Sequence, residues 1–439
     1  MVERPGPRLI VNSCTYLNIS MYEANRRDVF IGWGYIPMKA VILSAEWAPR
    51  EGFRLGPKDI DGKLTYLGSK VWKNPKLSII DKEIPKPGPT EVLIKVKACG
   101  ICGSDVHMAQ ADGEGYILYP GLTAFPVTLG HEFSGVVVEA GERAINKRTG
   151  RRYEPGEAVC SEEMFWCASC RPCADGYPNQ CEALQEMGFS VDGAFAEYIK
   201  VDARYLWSLE ELKGIYEGDD LFLAGSLVEP TSVAYNAVIE CGGGIRPGDN
   251  VVICGGGPIG LAAVAIMKKA GAAKVILSEP SESRAELGRR MGADHIINPV
   301  TEDFTERVLQ LTGGLGAKLY LEASGVPDRV FPQIESTIWE GKFIGSTVSI
   351  VARADVKVPL TSEVFQVKKA TIAGAQGHSG YGTFPRVISC MASGMNMLPL
   401  ITKRITLDEV PENIILLQTN KDEFQGSGNS LVRVGMVIA

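Results

Sequence analysis

The chain has 439 residues, enough for two domains with sizeable cores, and its 45% hydrophobic and 22% charged content is that of an ordinary globular protein. A net charge of −7 argues against nucleic acid or an anionic membrane surface as a partner, and no apolar run approaches the ~20 residues that span a bilayer. Eleven cysteines could suggest disulfides, but the chain is large, carries no secretory signal and groups its cysteines at metal spacing, so a reducing cytoplasm is expected.

Residues 1–37 lack hydrophobic periodicity and read either as a mobile extension or as sequence upstream of the true start. Met38 opens M-K-A-V-I-L-S, a first strand. From there to about Gly225 the pattern is β-rich with frequent turns. Arg50–Lys76 reads as a surface loop, and Glu91–Cys99 alternates polar and apolar residues as a half-buried strand does. Gly100–His107 (G-I-C-G-S-D-V-H) and Gly130–Phe133 (G-H-E-F) follow. Together they supply Cys102, His131 and Glu132, the mixture of one Cys, one His and one carboxylate that suits an open catalytic zinc site. Phe133–Ala140 is a strand, and the charged Asn146–Glu154 is a surface loop.

Cys167, Cys170, Cys173 and Cys181 come next, in C-A-S-C-R-P-C and one further Cys. Four thiolates on a short loop match the tetrahedral shell of structural zinc, and a loop so poor in regular structure would be organised by its metal. One closed and one open site in a single chain point to a zinc enzyme. Ser208–Leu221 then reads as another inserted segment.

A helix-like run from Glu229 through Glu240 opens a second region. Strands are expected at Asn250–Cys254, Lys274–Ser278, Lys318–Glu322, Lys342–Gly345 and Thr371–Gly374, with helices between them, the first at Gly260–Ala270. This alternation implies an α/β fold with a doubly wound parallel sheet. A helix near Phe384–Ser393 and a last strand at Leu431–Ile438 close the chain, the strand being placed to rejoin the first domain. The expected division is 38–225, 226–375, and 376–439 returning to the first domain.

Gly255-Gly256-Gly257-Pro258-Ile259-Gly260 fits G-x-G-x-x-G between a buried strand and a helix. Gly255 would allow the tight turn, Gly257 a close approach of backbone to pyrophosphate, and Gly260 close packing of helix on strand. The N-terminus of the helix that starts at Pro258 and Ile259 would offer its unpaired N–H groups to the phosphates. Glu279, ending the second strand, would accept hydrogen bonds from the adenosine ribose and repel a 2′-phosphate, favouring NAD over NADP. Arg284 could stack on adenine or bind a phosphate. His295 and His378 read as structural.

From Met38 to Ala439, in motif order, the chain resembles the zinc-dependent medium-chain alcohol and polyol dehydrogenases. The resemblance implies a GroES-like catalytic domain beside the Rossmann sheet, two zinc ions per chain, NAD, a small-molecule alcohol substrate and a homo-oligomer, dimer or tetramer. It makes Cys102 and His131 zinc ligands, with Glu132 as a further ligand, directly or through water. Glu229, in V-E-P-T-S, would sit at or near the fourth zinc position. Asp105 would hold His131, Ser104 would take the substrate proton, and His107 would pass it on to water. Ser324 and Val348 match segments that line the nicotinamide. The expected reaction is hydride transfer from a secondary alcohol of a polyol, sugar or cyclitol to NAD, with threonine-type or butanediol dehydrogenation as alternatives. The long stretch Ala109–Phe125 beside the ligands leaves the substrate open.

Overall fold

A computed structural model describes residues 37–354, 356–378, 382–419 and 434–437, all but Pro37 belonging to a unit that starts at Met38. Of the segment 1–37, all but Pro37 lies outside the described residues, as do Leu431–Arg433 and Ile438 of the expected last strand.

The parallel sheet has six strands, in the spatial order His295–Ile297, Lys274–Ser278, Asn250–Cys254, Leu319–Glu322, Thr347–Ile350, Thr371–Gly374. All neighbouring pairs run parallel. Helices cover both faces, so the central strands read as continuous apolar runs rather than alternating ones. Val251 and Ile253 point into one buried cluster, while Val252 and Cys254 point into another. Strand order reverses between Asn250–Cys254 and Leu319–Glu322. The crevice beyond their carboxyl ends is where such sheets bind ligands.

The β-rich part is built on a seven-stranded sheet. Its centre is Glu91–Gly100, which pairs with Glu132–Ala140, Tyr198–Asp202 and the late strand Val434–Val437. A separate sheet joins Pro37–Trp47 to Trp72–Glu83 and Val127–Thr128. Ile94, Phe133 and Phe195 lie in the core shared by these elements.

Some segments differ from the sequence expectations. Arg50–Lys76 is not all loop: a short helix at Gly68–Val71 leads into the strand Trp72–Glu83. The cause is Trp72, 1% exposed, whose ring lies 5.1 Å from both Trp47 and Phe125. Ser208–Leu221 is anchored rather than merely inserted, since Leu209, Leu212 and Tyr216 are buried in the core. Lys342–Gly345 is not a strand. Gly345 takes a φ of 88°, and the strand starts two residues later, at Thr347. The run from Glu229 is an α-helix, Val228–Tyr235, that widens into a π-helical turn at Asn236–Cys241.

Candidate active site

Cys102 caps the helix Gly103–Ala109. Its side chain accepts from the Asp105 backbone, while the Asp105 carboxylate accepts from Cys102 N at 2.8 Å. The same carboxylate accepts from Gly130 N at 3.3 Å, tying the G-I-C-G-S-D turn to the loop that carries His131. Cys102, His131 and Glu132 are thereby brought together, with one potential ligand atom from each lying within 4.8 Å of the others. His131 Nδ1 stands 3.8 Å from Asp105 Oδ1, an ion-pair distance too long for a hydrogen bond. Asp105 thus holds the backbone on both sides of the site more directly than it holds the imidazole.

Glu229 lies buried in the first turn of its helix, outside that tight group of three. Burial pushes its carboxyl up to about 7, against the opposing pull of His131. Ser104 Oγ is buried without a hydrogen-bond partner. His107 lies one helical turn further on, and its carbonyl accepts from Leu118 and Tyr119 N–H at 3.1 Å. That bond pins the long Ala109–Phe125 stretch against the catalytic helix.

The four lobe cysteines also converge, with all their Sγ atoms within 4.8 Å of one another. Cys170 and Cys181 Sγ are 3.8 Å apart, far beyond a disulfide bond. It is the edge of a tetrahedron whose ligands stand about 2.3 Å from a central zinc, which is about 3.8 Å. The donor set therefore fits the metal. The Ser169 hydroxyl and amide pull the Cys167 thiol down to about 6, and the Cys173 amide lowers Cys170. Burial pushes Cys173 up to about 12 and raises Cys181. Cys167 thus favours the thiolate already and Cys170 is shifted towards it, while Cys173 and Cys181 would need the charge of a metal to lose their protons. A cavity of about 620 Å³ that touches Cys167 is lined by Lys82, Asp192 and Tyr198, and by none of Cys102, His131 or Glu132.

Residues that no motif singled out complete the surroundings of the Cys–His–Glu group. Phe189 places its ring 4.7 Å from that of His131 and 5.2 Å from that of Tyr119. Arg353, from the loop after Thr347–Ile350, lies 5.6 Å from the Tyr119 ring. Burial raises Glu163, and it pushes Glu186 up to about 7. The only signal available in the sequence was the acidic pair Glu162-Glu163 just before the cysteine lobe.

His378 is fully buried, and its Nε2 accepts from Glu163 N at 3.3 Å. Burial lowers its pKa to about 3. The unfolded chain takes up this proton near the ordinary histidine value and the folded chain does not. The stability His378 contributes is therefore present above about pH 6.5 and is lost as the pH falls towards 3, by on the order of 1 kcal/mol per unit. His378→Gln is expected to flatten the acid side of the thermal midpoint against pH. An unchanged slope between pH 7 and 5 would contradict the assignment.

At the nucleotide end, Gly255 has a φ of 106°, and a Cβ there would meet Ala323 O at 2.7 Å. A Cβ on Gly260 would lie 1.9 Å from Gly255 O, so the helix Pro258–Lys269 can approach its strand only through glycine. A Cβ on Gly257 would meet nothing within 4 Å, which leaves an open cradle over the helix start where Pro258 and Ile259 are half-buried. Glu279 accepts from Gly256 N at 2.6 Å and from Ser281 N at 2.8 Å, so it also fixes the glycine turn. Arg284 is half-buried on the next helix. Ser324 donates to Glu322 through both N and Oγ at the edge of the crevice. Val348 departs from expectation. Its side chain is fully buried with Val252 and Phe331 beneath the sheet, because alternation along the strand turns it away from the crevice.

A dinucleotide crevice set beside a Cys–His–carboxylate group defines a metal-dependent dehydrogenase. Residues 88–211 match the alcohol dehydrogenase GroES-like domain, and residues 258–393 match the zinc-binding dehydrogenase family. The chain is 68% identical over 403 residues to scyllo-inosose 3-dehydrogenase of Thermotoga maritima, covering 91% of this chain and 100% of that one. It is 35% identical to L-threonine 3-dehydrogenase of Caldanaerobacter subterraneus, covering 82% and 96%. A solved Thermotoga maritima structure described as an alcohol dehydrogenase superposes with a TM-score of 0.88 at 68% identity, covering 91% and 100%. This chain belongs to the zinc-dependent medium-chain alcohol dehydrogenase family. No described helix is long and apolar enough to cross a membrane.

Proposed function

We propose that the chain oxidises a secondary hydroxyl of a cyclitol and passes the hydride to NAD. The observation that carries this reading is the 68% identity over 403 residues to scyllo-inosose 3-dehydrogenase, the whole length of that protein. Cys102, His131 and Glu132 would hold a catalytic zinc, with Glu229 as the alternative carboxylate; Cys167, Cys170, Cys173 and Cys181 would hold a second. Bound there, zinc supplies Lewis acidity that brings an alcohol hydroxyl towards ionisation at neutral pH, and the nicotinamide supplies the hydride acceptor. The chain does the rest. Asp105 keeps the ligand loops in register. The unpartnered Ser104 hydroxyl receives the substrate proton, and His107, on the same short helix, relays it to water. The carbon loses a hydride and the oxygen a proton, which leaves a ketone.

A division at 38–225 and 226–375, with 376–439 returning, completes the reading, as do two zinc ions per chain, a dimer or tetramer, and a cytoplasmic location. The pairing of Val434–Val437 with Glu91–Gly100 supports the return.

A panel of cyclitols, sorbitol, 2,3-butanediol and L-threonine, followed through reduced-nicotinamide absorbance, tests the substrate. The highest kcat/KM is expected on a cyclitol, and a preference for threonine would overturn the proposal. The charge on Glu279 underlies the cofactor choice. Glu279→Gln retains an acceptor for Gly256 N–H and removes the repulsion of a 2′-phosphate. It should narrow the NAD-to-NADP ratio of kcat/KM about tenfold. A native preference for NADP would refute the role.

A further inference from the structure

Beside the candidate metal centre, a two-stranded ribbon pairs Met164–Phe165 with Gln185–Glu186, setting Met164 opposite Glu186. Glu163 enters this ribbon directly, and its carbonyl accepts from Met187 N at 3.0 Å. Its backbone is fixed by His378 on one side and Met187 on the other, so the side chain has a set origin. Glu163 is 8% exposed and Glu186 is 5% exposed. Glu163 Oε2 is buried with no hydrogen-bond partner. Glu186, Glu229, His131 and Cys102 lie close enough to act on the Glu163 carboxyl, and Arg353 and His131 on that of Glu186. Phe189, three residues beyond Glu186, lies against His131.

A Cβ on Gly121 would come within 2.7 Å of the Tyr119 hydroxyl and 2.8 Å of Arg353 Nη1, so this glycine leaves room for the two side chains to meet. Tyr119 is held by its backbone bond to the His107 carbonyl.

A buried carboxylate oxygen without a partner is costly, by about 1–3 kcal/mol, unless something supplies a donor. Neither Glu163 nor Glu186 belongs to the tight ligand group or to the proton path through Ser104 and His107. A ring bearing several hydroxyls suits these two groups, because a hydroxyl both donates and accepts and so can pair with a carboxyl in either protonation state.

We propose that Glu163 and Glu186 bind hydroxyls of a neutral, polyhydroxylated ring on carbons away from the reacting one, and so set the substrate specificity of this site. Tyr119, whose ring lies 5.2 Å from that of Phe189, and Arg353, 5.6 Å from the Tyr119 ring, complete the surroundings. The proposal rests on the cyclitol reading above.

The test uses the full chain loaded with zinc and NAD, with Glu163→Gln and Glu186→Gln made separately in case one variant fails to fold. Each substitution keeps the side-chain size and replaces one carboxyl oxygen with a donor-only amide nitrogen. Three readouts are taken: the ratio of kcat/KM for myo-inositol over cyclohexanol, which has the ring without the other hydroxyls; the calorimetric dissociation constant of myo-inositol in the presence of NADH; and zinc per chain. The expected result is a fall in the ratio of at least about tenfold, carried mainly by KM, with matching weaker binding and unchanged zinc. If wild type oxidises cyclitols and the ratio stays within about twofold in both variants, the specificity role is overturned while the cyclitol reading stands. A loss of zinc in parallel with activity overturns it in favour of a metal-site role. If wild type oxidises threonine and no cyclitol, both readings fall.

Discussion

Replacing Cys102 with Ser is expected to remove one of two zinc ions per chain and to lower alcohol oxidation at least about a hundredfold, leaving the fold intact. The separation of effects follows from the local structure. Cys102 is the cap of the helix Gly103–Ala109, and its side chain accepts the Asp105 backbone N–H. Serine is among the best residues for that position, so the helix start survives. The thiolate does not, and a neutral hydroxyl is a poor zinc ligand beside His131 and Glu132. Metal analysis, steady-state rates and the far-ultraviolet circular dichroism spectrum measure the three quantities. A variant that retains both metals and full activity would remove Cys102 from the catalytic centre.

The second large effect is expected at Cys170. It caps the four-residue helix Arg171–Ala174 and is only half-buried, so Cys170→Ser loses little packing and keeps the cap. What it loses is one corner of the four-sulfur group. Between Cys167 and Cys181 regular structure is limited to that helix and a single 3₁₀ turn at Pro178–Gln180, so a metal held there would supply most of what orders the lobe. A loss of about 3 kcal/mol is expected, lowering the thermal midpoint by about 3–4 °C. Strong chelation of the wild type should reproduce the shift. The lobe also touches the nucleotide-binding side, where Asn179 donates to Gln376 O at 2.9 Å and Gln180 donates to the Gln376 side chain at 3.0 Å. Lobe disorder should therefore weaken NAD binding as well. A variant with one metal and an unchanged melting curve would show that the lobe folds without its zinc.

The sequence by itself determined the features whose physics is local. The spacing of Cys167, Cys170, Cys173 and Cys181 limits where four sulfurs can meet, and the structure brings them together. The turn at Gly255 and the contact at Gly260 depend on a missing Cβ, which can be read from residue identity and position. The alternating strands and helices of 250–374 were legible because a parallel sheet needs buried apolar runs, though Lys342–Gly345 was misplaced by a glycine turn. Only the tertiary structure decided which way side chains face and which distant residues meet. Val348 turned into the core because strand alternation depends on register, which composition does not reveal. Trp72 drew a segment rich in loop residues into a sheet, because Trp47 and Phe125 offered it a buried face. Glu163, Glu186, Tyr119, Arg353 and His378 carry no motif. The first four gather around Cys102 and His131 through a two-stranded ribbon and a crossing loop, and His378 holds the Glu163 backbone, contacts between residues far apart in the chain that no local pattern specifies.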